Sequence, residues 1–424
     1  MSELTVFAYL FLILQVGIFA YGMYFLAISF FAFGKVPSAP RRAPTKRFLL
    51  LLPAHNEEAV IGYLVDNLVN GLDYPKELYT VRVIADNCSD NTAEIARQMG
   101  ASVLENTTPP GGDKGKPFAI KAAFDDLGDQ LTEYYDAIAV FDADNLVDAN
   151  YLQVMNDQLL NGERVIQCYL DSKNPTDNHI TLGYAATYFY MNRSWQLAKY
   201  RLGLHNAIGG TGFCIDTEVI KEIGWTAKSL VEDLEFTMQC ALNNIQVTWC
   251  HTTHVYDEKP ENFKASCVQR LRWARGHWDV FFRYAPKLLR RAITQLDFRA
   301  FDSVLYLLMP AFMIAQALMW IIFFIGVFVM GQGIFVLFPL WLWIPFWIVL
   351  RFYVLYVCSV DSSIKYSKVR AILAIMLLNL SYIPLACWGV LTCKNKSWVC
   401  TEHTKGVSYA HASTGEQQVG IVGH

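Results

Sequence analysis

The sequence predicts an α/β fold, with a mixed and mostly parallel sheet in one water-facing domain, joined to an α-helical transmembrane region. Three observations carry this reading. Apolar runs of strand length alternate with stretches of helical period between residues 48 and 280. Long apolar stretches without charge stand at both ends of the chain, and none lies between them. The hydrophobic share, 54% of 424 residues, exceeds what a soluble fold usually carries.

Taken in order, Leu4 to Phe33 holds no charged residue. As a helix it would run roughly 45 Å against a hydrocarbon core of about 30 Å, so residues 1–34 read as one transmembrane helix. A cleaved signal peptide would have a shorter apolar region preceded by basic residues, whereas Ser2 and Glu3 stand here. Residues 35–47 form a basic, Pro-rich linker in which Lys35, Arg41, Arg42, Lys46 and Arg47 alternate with Pro37, Pro40 and Pro44. The positive-inside bias places that linker in the cytosol and the N-terminus outside. Residues 48–280 then form a cytosolic domain. Its strand-length runs are Phe48 to Leu52, Thr80 to Ala85, Ala137 to Phe141 and Val165 to Tyr169. The stretches Glu58 to Val69, Asn91 to Met99 and Lys116 to Leu127 have the helical period.

Beyond the domain, residues 281–302 mix Lys287, Arg290, Arg291 and Arg299 with Leu288, Leu289, Ile293 and Phe298. That mixture suits an interfacial amphipathic helix on an anionic leaflet, or an ordinary surface helix. Residues 303–392 read as transmembrane or re-entrant helices: Ser303 to Met330 and Ile334 to Val360, joined by the tight Gly331-Gln332-Gly333 turn, and then Ala371 to Leu391. Three spans here would leave Lys394, Lys396 and Lys405 outside, against the same charge rule. Either the rule fails, or one segment is interfacial or re-entrant. Pro339, Pro345 and Pro384 permit an irregular helix. Residues 393–424 are a C-terminal tail, small, polar and expected to be mobile past Gly406.

A net charge of -3 gives no global basic surface and argues against a nucleic-acid partner. The ten cysteines lack paired metal-type spacing and suit reduced thiols in a cytosolic domain. Cys250, His251 and His254 have no second pair and read as strand-end polar groups before they read as a metal cluster.

In mostly parallel sheets, ligands gather at the carboxyl ends of the strands. The first run ends in His55, Asn56 and Glu57, the second in Asp86, and the Ala137 run in Asp142 and Asp144. Asp90 alone reads equally as a helix cap. Asp142 and Asp144, one residue apart, repel each other unless a cation sits nearby, and hard oxygen ligands point to Mg²⁺ or Mn²⁺; a turn is the plain alternative. Lys114, Gly115 and Lys116 precede a Pro-started helix and suit phosphate oxygens or a solvated basic loop, but the spacing is not that of a P-loop. At Thr211 and Gly212, within a Gly-rich loop, the backbone can approach a ligand closely. Glu232 and Asp233 open a helical run as first-turn acids or as a catalytic base. Gln269, Arg272 and Trp273 share one helix face that suits sugar hydroxyls, phosphate and a pyranose ring.

In order and spacing, from about Leu49 to Trp278, these motifs resemble the family 2 glycosyltransferases. The likeness is strongest to the membrane-integrated branch that contains cellulose, chitin, hyaluronan and poly-N-acetylglucosamine synthases. The resemblance implies a GT-A-type fold and a metal-dependent hexosyltransferase using a UDP-sugar, UDP-glucose or UDP-N-acetylglucosamine. It implies that His55, Asn56, Glu57, Asp86, Lys116, Asp142 and Arg272 bind the donor, that Asp142 and Asp144 hold Mg²⁺ or Mn²⁺, and that Asp233 is the catalytic base. Glu232, Gln269, Trp273, Thr211 and Gly212 would bind the acceptor, a glycan or a lipid-linked one. The expected product is a β-linked polysaccharide made at the plasma membrane by a multi-pass protein in contact with membrane lipids, with export an added option. A non-processive transferase acting on one lipid acceptor is the alternative, and a transporter the remote one. The sequence names no accessory subunit. Only one span precedes the domain, fewer than in several synthases of this branch, and no cyclic-dinucleotide-binding domain of the cellulose synthase kind is found. Trp398 to Lys405 resembles in position the Trp/Thr/basic element of relatives that approaches the active site, which requires a cytosolic location.

Overall fold

A computed structural model describes residues 3–325, 340–362 and 365–396. The chain opens with α1 (Glu3–Ser29), and the extended linker that follows leads into β1 (Phe48–Ala54). Then come α2 (Ile61–Asn70), β2 (Tyr79–Asp86), α3 (Thr92–Gln98), β3 (Ser102–Asn106), α4 (Lys116–Leu127), α5 (Gln130–Tyr134) and β4 (Ala137–Val140). The short β5 (Leu146–Val147) precedes α6 (Tyr151–Leu160), β6 (Val165–Ser172), α7 (His179–Met191) and α8 (Ala198–Arg201). Next are β7 (Phe213–Asp216), α9 (Thr217–Ile223), α10 (Glu232–Leu242), β8 (Val247–Asp257) and α11 (Phe263–Thr294). The final helices are α12 (Phe298–Leu307), α13 (Met309–Phe324), α14 (Leu340–Asp361) and α15 (Lys368–Thr392).

The eight strands form one sheet in the order β3-β2-β1-β4-β7-β6-β8-β5. Strands β1 to β4 pair in parallel, β7 runs antiparallel to both β4 and β6, and β5 antiparallel to β8. The mixed, mostly parallel sheet read from the sequence is therefore present. The unbroken apolar run of β1 follows from its central place, since both of its faces are covered. Phe48, Leu50 and Leu52 enter the core on one face, with α2, and Leu49 and Leu51 enter the opposite core, with α4. The antiparallel β7 left no such signal, because a four-residue strand next to a glycine loop has too few positions to show alternation.

The segment 281–302, read as one amphipathic helix, is divided. Its first part continues α11, a 32-residue helix that begins well before the expected boundary. The chain then breaks at Leu296, whose φ of 51° is left-handed, and restarts as α12, where the Asp297 carboxylate accepts from the Arg299 and Ala300 amides. Arg291 secures the break, donating to Asp297 at 2.7 Å and to the Leu242 carbonyl at 2.8 Å.

By length and hydropathy α1 and α15 are each able to cross a membrane, and α12 with α13, bent by 54° at Leu308, make a third candidate. The Gly331-Gln332-Gly333 turn, the Trp398 to Lys405 element and the tail past Gly406 lie outside the described residues. Helix α14 occupies the second of the expected spans. Its last residue, Asp361, pairs with the buried guanidinium of Arg193, which also donates to the Ala32 carbonyl just past α1 at 2.9 Å. The ends of α1 and α14 therefore meet on the same side of the sheet domain.

Candidate active site

The carboxyl ends of β1, β2 and β4 open on a crevice of about 900 Å³ lined by His55, Glu57, Asp86, Asp142 and Asp144. The His55 ring donates from Nδ1 to the Asp86 carbonyl at 2.7 Å, joining the first two strand ends. The Asp86 carboxylate is buried and accepts from the amides of Asn87 and Asn106 at 2.9 and 2.7 Å. Glu57 is fixed through its backbone N–H, which donates to Thr92 Oγ1 at 2.8 Å. Asn56 does not line the crevice. With a left-handed φ of 56°, it accepts from the Ser89 N–H at 2.8 Å and ties the two strand-end loops together. Asp90 accepts from the Thr92 N–H at 3.1 Å and the Thr92 hydroxyl at 2.6 Å, but it stands one residue before Asn91, the N-cap of α3, and does not itself cap the helix.

Opposite these, Lys116 is placed at the start of α4, where Gly115 adopts φ 110° and Pro117 fits the first turn. Its Nζ donates to Asp142 Oδ1 and to the Gly210 carbonyl, both at 2.5 Å, and lies 3.6 Å from Glu232. Burial works against this charge, but Asp142, Glu232 and Asp233 outweigh it and hold the ammonium pKa above its ordinary value. The Asp142 N–H donates to Asn145 Oδ1 and Thr211 Oγ1, each at 3.0 Å, so Thr211 positions the acidic turn while also lining the crevice. Asp144 is buried and accepts from the Glu258 N–H at 2.9 Å. Gly212 stays outside the lining: a Cβ there would meet Cys168 Sγ at 2.7 Å, and φ is +63°. Glycine is required at that point by sheet packing, beside the register shift between β6 and β8 at Cys168 and Tyr169.

Glu232 and Asp233 form the first turn of α10 and both line the crevice. Burial pushes the Asp233 carboxyl up to about 7, with the neighbouring Glu232 charge adding to it; the Leu234 N–H and Lys116 pull the other way. Burial raises Glu232 as well. Two residues on, Glu235 has a separate task. It accepts from the Lys228 and Ser229 amides and pairs with Arg283 at 2.5 Å, which fixes the loop entering α10.

From α11, Gln269, Arg272 and Trp273 reach the same crevice. Gln269 Oε1 and Arg272 Nε are buried without a hydrogen-bond partner among the described residues, and the Trp273 ring meets Tyr184 edge-on at 6.2 Å. Twelve of the fourteen expected site residues thus share one crevice, the exceptions being Asn56 and Gly212. Sequence reasoning missed Tyr184 and Tyr188 of α7, Tyr306 of α12, Met309 and Met313 of α13, and Leu378 and Tyr382 of α15, which extend the crevice toward the apolar helices. No motif marked them, because in a helical apolar run a lining aromatic looks like a core aromatic. Cys250, His251 and His254 do not converge: Cys250 is buried in the core, His251 meets Asp361 and His254 meets Asp148. Among the described residues, no three His, Cys, Asp or Glu side chains form a metal cage.

The chain resembles known proteins along this same stretch. It is 29% identical over 266 residues to a probable glycosyltransferase, YdaM, of Bacillus subtilis, covering 59% of this chain and 60% of that one. It is 30% identical over 255 residues to a beta-monoglucosyldiacylglycerol synthase of Trichormus variabilis, covering 57% of this chain and 51% of that one. The match thus spans only half to three-fifths of these relatives' length. In fold it resembles the mannosyltransferase PcManGT of Pyrobaculum calidifontis, solved with GDP-Man and Mn2+, at a TM-score of 0.58 and 15% identity over 90% of this chain and 99% of that one. Residues 44–276, which hold the sheet and every motif of the crevice, match the model of the glycosyltransferase-like family 2, and the chain belongs to that family.

Proposed function

We propose that this glycosyltransferase works by inversion, taking a sugar from UDP-glucose or UDP-N-acetylglucosamine and joining it through a β-linkage into a polysaccharide at the plasma membrane, with its sheet domain in the cytosol. The observation that carries the proposal is the pairing, in one crevice, of Asp233, its carboxyl raised to about 7, with the Lys116–Asp142 contact and the unpartnered Arg272 Nε. In the reaction, Asp233 accepts the proton of the acceptor hydroxyl as that oxygen bonds to the anomeric carbon. The bond from that carbon to the diphosphate breaks on the opposite face, so configuration inverts. Lys116 and Arg272 receive the charge that gathers on the departing UDP. His55, Glu57 and Asp86 hold the nucleotide end, and Gln269 and Trp273 the acceptor sugar.

The residues fit a divalent cation. Asp142 and Asp144 both line the crevice and would supply hard oxygen donors, and the positions these two carboxylates leave open would fall to phosphate oxygens and water, as Mg²⁺ accepts. Bound Mg²⁺ or Mn²⁺ would neutralise diphosphate charge.

One observation favours the second reading, a single transfer to a lipid acceptor. The crevice continues from Trp273 to Met309, Met313 and Leu378, apolar side chains on helices of the membrane region. The test is to incubate the purified full chain with radiolabelled UDP-glucose or UDP-N-acetylglucosamine and membrane lipid. A high-molecular-weight product insoluble in organic solvent supports the polysaccharide reading, and label extracted wholly with lipid supports the second. Sugar transfer with retained configuration overturns both.

A further inference from the structure

Helix α7 stands against the crevice with its sides already divided. Asn178 caps it, accepting from the Ile180 and Thr181 amides at 2.8 and 3.1 Å, and so fixes where the first turn begins. Leu182, Ala185, Ala186 and Phe189 are buried in one cluster with Trp249 of β8 and with Ala371 and Ile375 of α15. Gly183 lets the two helices close up, since a Cβ there would meet Leu378 Cδ1 at 2.6 Å. The remaining stripe, Tyr184, Thr187, Tyr188 and Met191, follows the i, i+3, i+4, i+7 spacing of one helix face and lines the crevice.

The two tyrosines of that stripe differ. The Tyr184 hydroxyl shares a hydrogen bond with Ser266 Oγ at 2.9 Å, and its ring meets Trp273 edge-on at 6.2 Å. Its polar atom is therefore used inside the protein. The Tyr188 hydroxyl makes no hydrogen bond to any of the described residues. The ring is nonetheless held. Lys259 Nζ lies 3.6 Å from its centroid, and that ammonium is itself buried and paired with the Asp257 carboxylate at 2.6 Å. The Lys259 backbone is tied to Asn174 in both directions, its N–H donating to Oδ1 and its carbonyl accepting from Nδ2, each at 2.9 Å. Burial raises the Tyr188 phenol above its ordinary pKa, and the charges of Asp257, Asp233 and Asp142 add to the rise. The group thus keeps its proton and stays a donor, beside the carboxylate assigned as base.

We propose that Tyr188 binds the acceptor, its hydroxyl donating to an acceptor oxygen that neighbours the hydroxyl attacking from Asp233. The proposal rests on the acceptor site described above, with Trp273 beneath the sugar, and it narrows the substrate class. The acceptor carries a second oxygen within one or two carbons of the attacking one, as a sugar or an acylated glycerol does and a simple long-chain alcohol does not. An acceptor without that oxygen leaves the phenol shut away from water and unpaired, which costs binding. With its ring pinned on Lys259, the phenol loses little freedom when the bond forms.

The test uses the full-length protein in bilayer discs, with octyl β-D-glucoside as the acceptor probe, a sugar carrying a short apolar tail, together with its monodeoxy forms. Tyr188→Phe keeps the ring on Lys259 and removes an atom that has no partner among the described residues, so its melting curve should overlie that of wild type. The kcat/KM for octyl β-D-glucoside should fall about 3- to 10-fold, the worth of one neutral hydrogen bond, with UDP-sugar binding unchanged. At least one monodeoxy probe should lose the same factor with wild type and nothing further with the Phe variant. Unchanged acceptor kinetics, a loss confined to donor binding, or a full set of deoxy probes that penalises both proteins equally would overturn the proposal. Wild type that forms either product of the test above yet leaves octyl β-D-glucoside untouched overturns it alone. Wild type that transfers no sugar at all overturns the acceptor site beneath it as well.

Discussion

Replacing Asp233 by Asn removes the ability to take a proton while keeping an Oδ1 acceptor for the Leu234 N–H, which now lies at 2.8 Å. Because general acid-base catalysis contributes typically ~10²–10⁴-fold, turnover of the variant should fall by that amount while UDP-sugar binding changes little. The same substitution should stabilise the fold. The carboxyl is raised from 3.8 to about 7 in the folded protein. Below pH 3.8 it is protonated folded or unfolded and costs nothing. As pH rises from 3.8 to about 7 the unfolded chain ionises first, so folding stability falls, and above about 7 the loss is complete. At 1.36 kcal/mol per pH unit, discounted for the partial exposure of the side chain, this amounts to about 2–4 kcal/mol, which the Asn variant recovers. Thermal melting in detergent should therefore show Asp233→Asn above wild type at alkaline pH, with the gap closing in acid. Steady-state UDP release and donor titration measure the rest. Near wild-type turnover, loss of donor affinity as the main defect, or a variant less stable at alkaline pH would contradict a buried, proton-accepting Asp233.

Other outcomes follow from the same geometry. Wild-type kcat/KM should fall about tenfold per pH unit below about 7, as Asp233 takes up its proton, measured with saturating metal across a pH series. Trp273→Ala should raise the acceptor KM by about 5- to 150-fold, or shorten the product, while donor binding changes little, read from acceptor titration and product sizing, since it removes a ring contact worth about 1–3 kcal/mol. Gly212→Ala should destabilise the protein by about 1–3 kcal/mol, because the added methyl meets Cys168 Sγ at 2.7 Å and the backbone is left-handed; a melting curve checks it. If residues 48–300 face the cytosol, an impermeant thiol reagent applied to intact cells should leave the part-exposed Cys88 unlabelled and should label it after permeabilisation.

Much of the domain was legible because its central strands are covered on both faces, so β1 and β4 write unbroken apolar runs into the sequence. The acidic strand ends were legible for a related reason: carboxylates at the ends of buried strands stand out against apolar neighbours, as Asp86, Asp142 and Asp144 do. Asn56 and Gly212 were placed in the site because they sit inside motifs, and nothing in sequence separates a residue that shapes a loop from one that faces its ligand. The left-handed φ at both positions accounts for these residue types. Tyr184, Tyr188, Tyr306 and Tyr382 were invisible for the opposite reason, being brought to the crevice by long-range packing of three helices, α7, α12 and α15.

Whether the crevice cleaves a UDP-sugar with the help of a divalent cation, as proposed, is measured by UDP release from the purified full-length protein. With Mg²⁺ or Mn²⁺ and acceptor present, one of UDP-glucose and UDP-N-acetylglucosamine should give acceptor-dependent UDP. Release should stop in excess EDTA, resume when metal is restored, and be lost in Asp144→Ala. Full turnover in EDTA, or acceptor-dependent release from a GDP-sugar with none from either UDP-sugar, would contradict metal-assisted cleavage of a UDP-sugar.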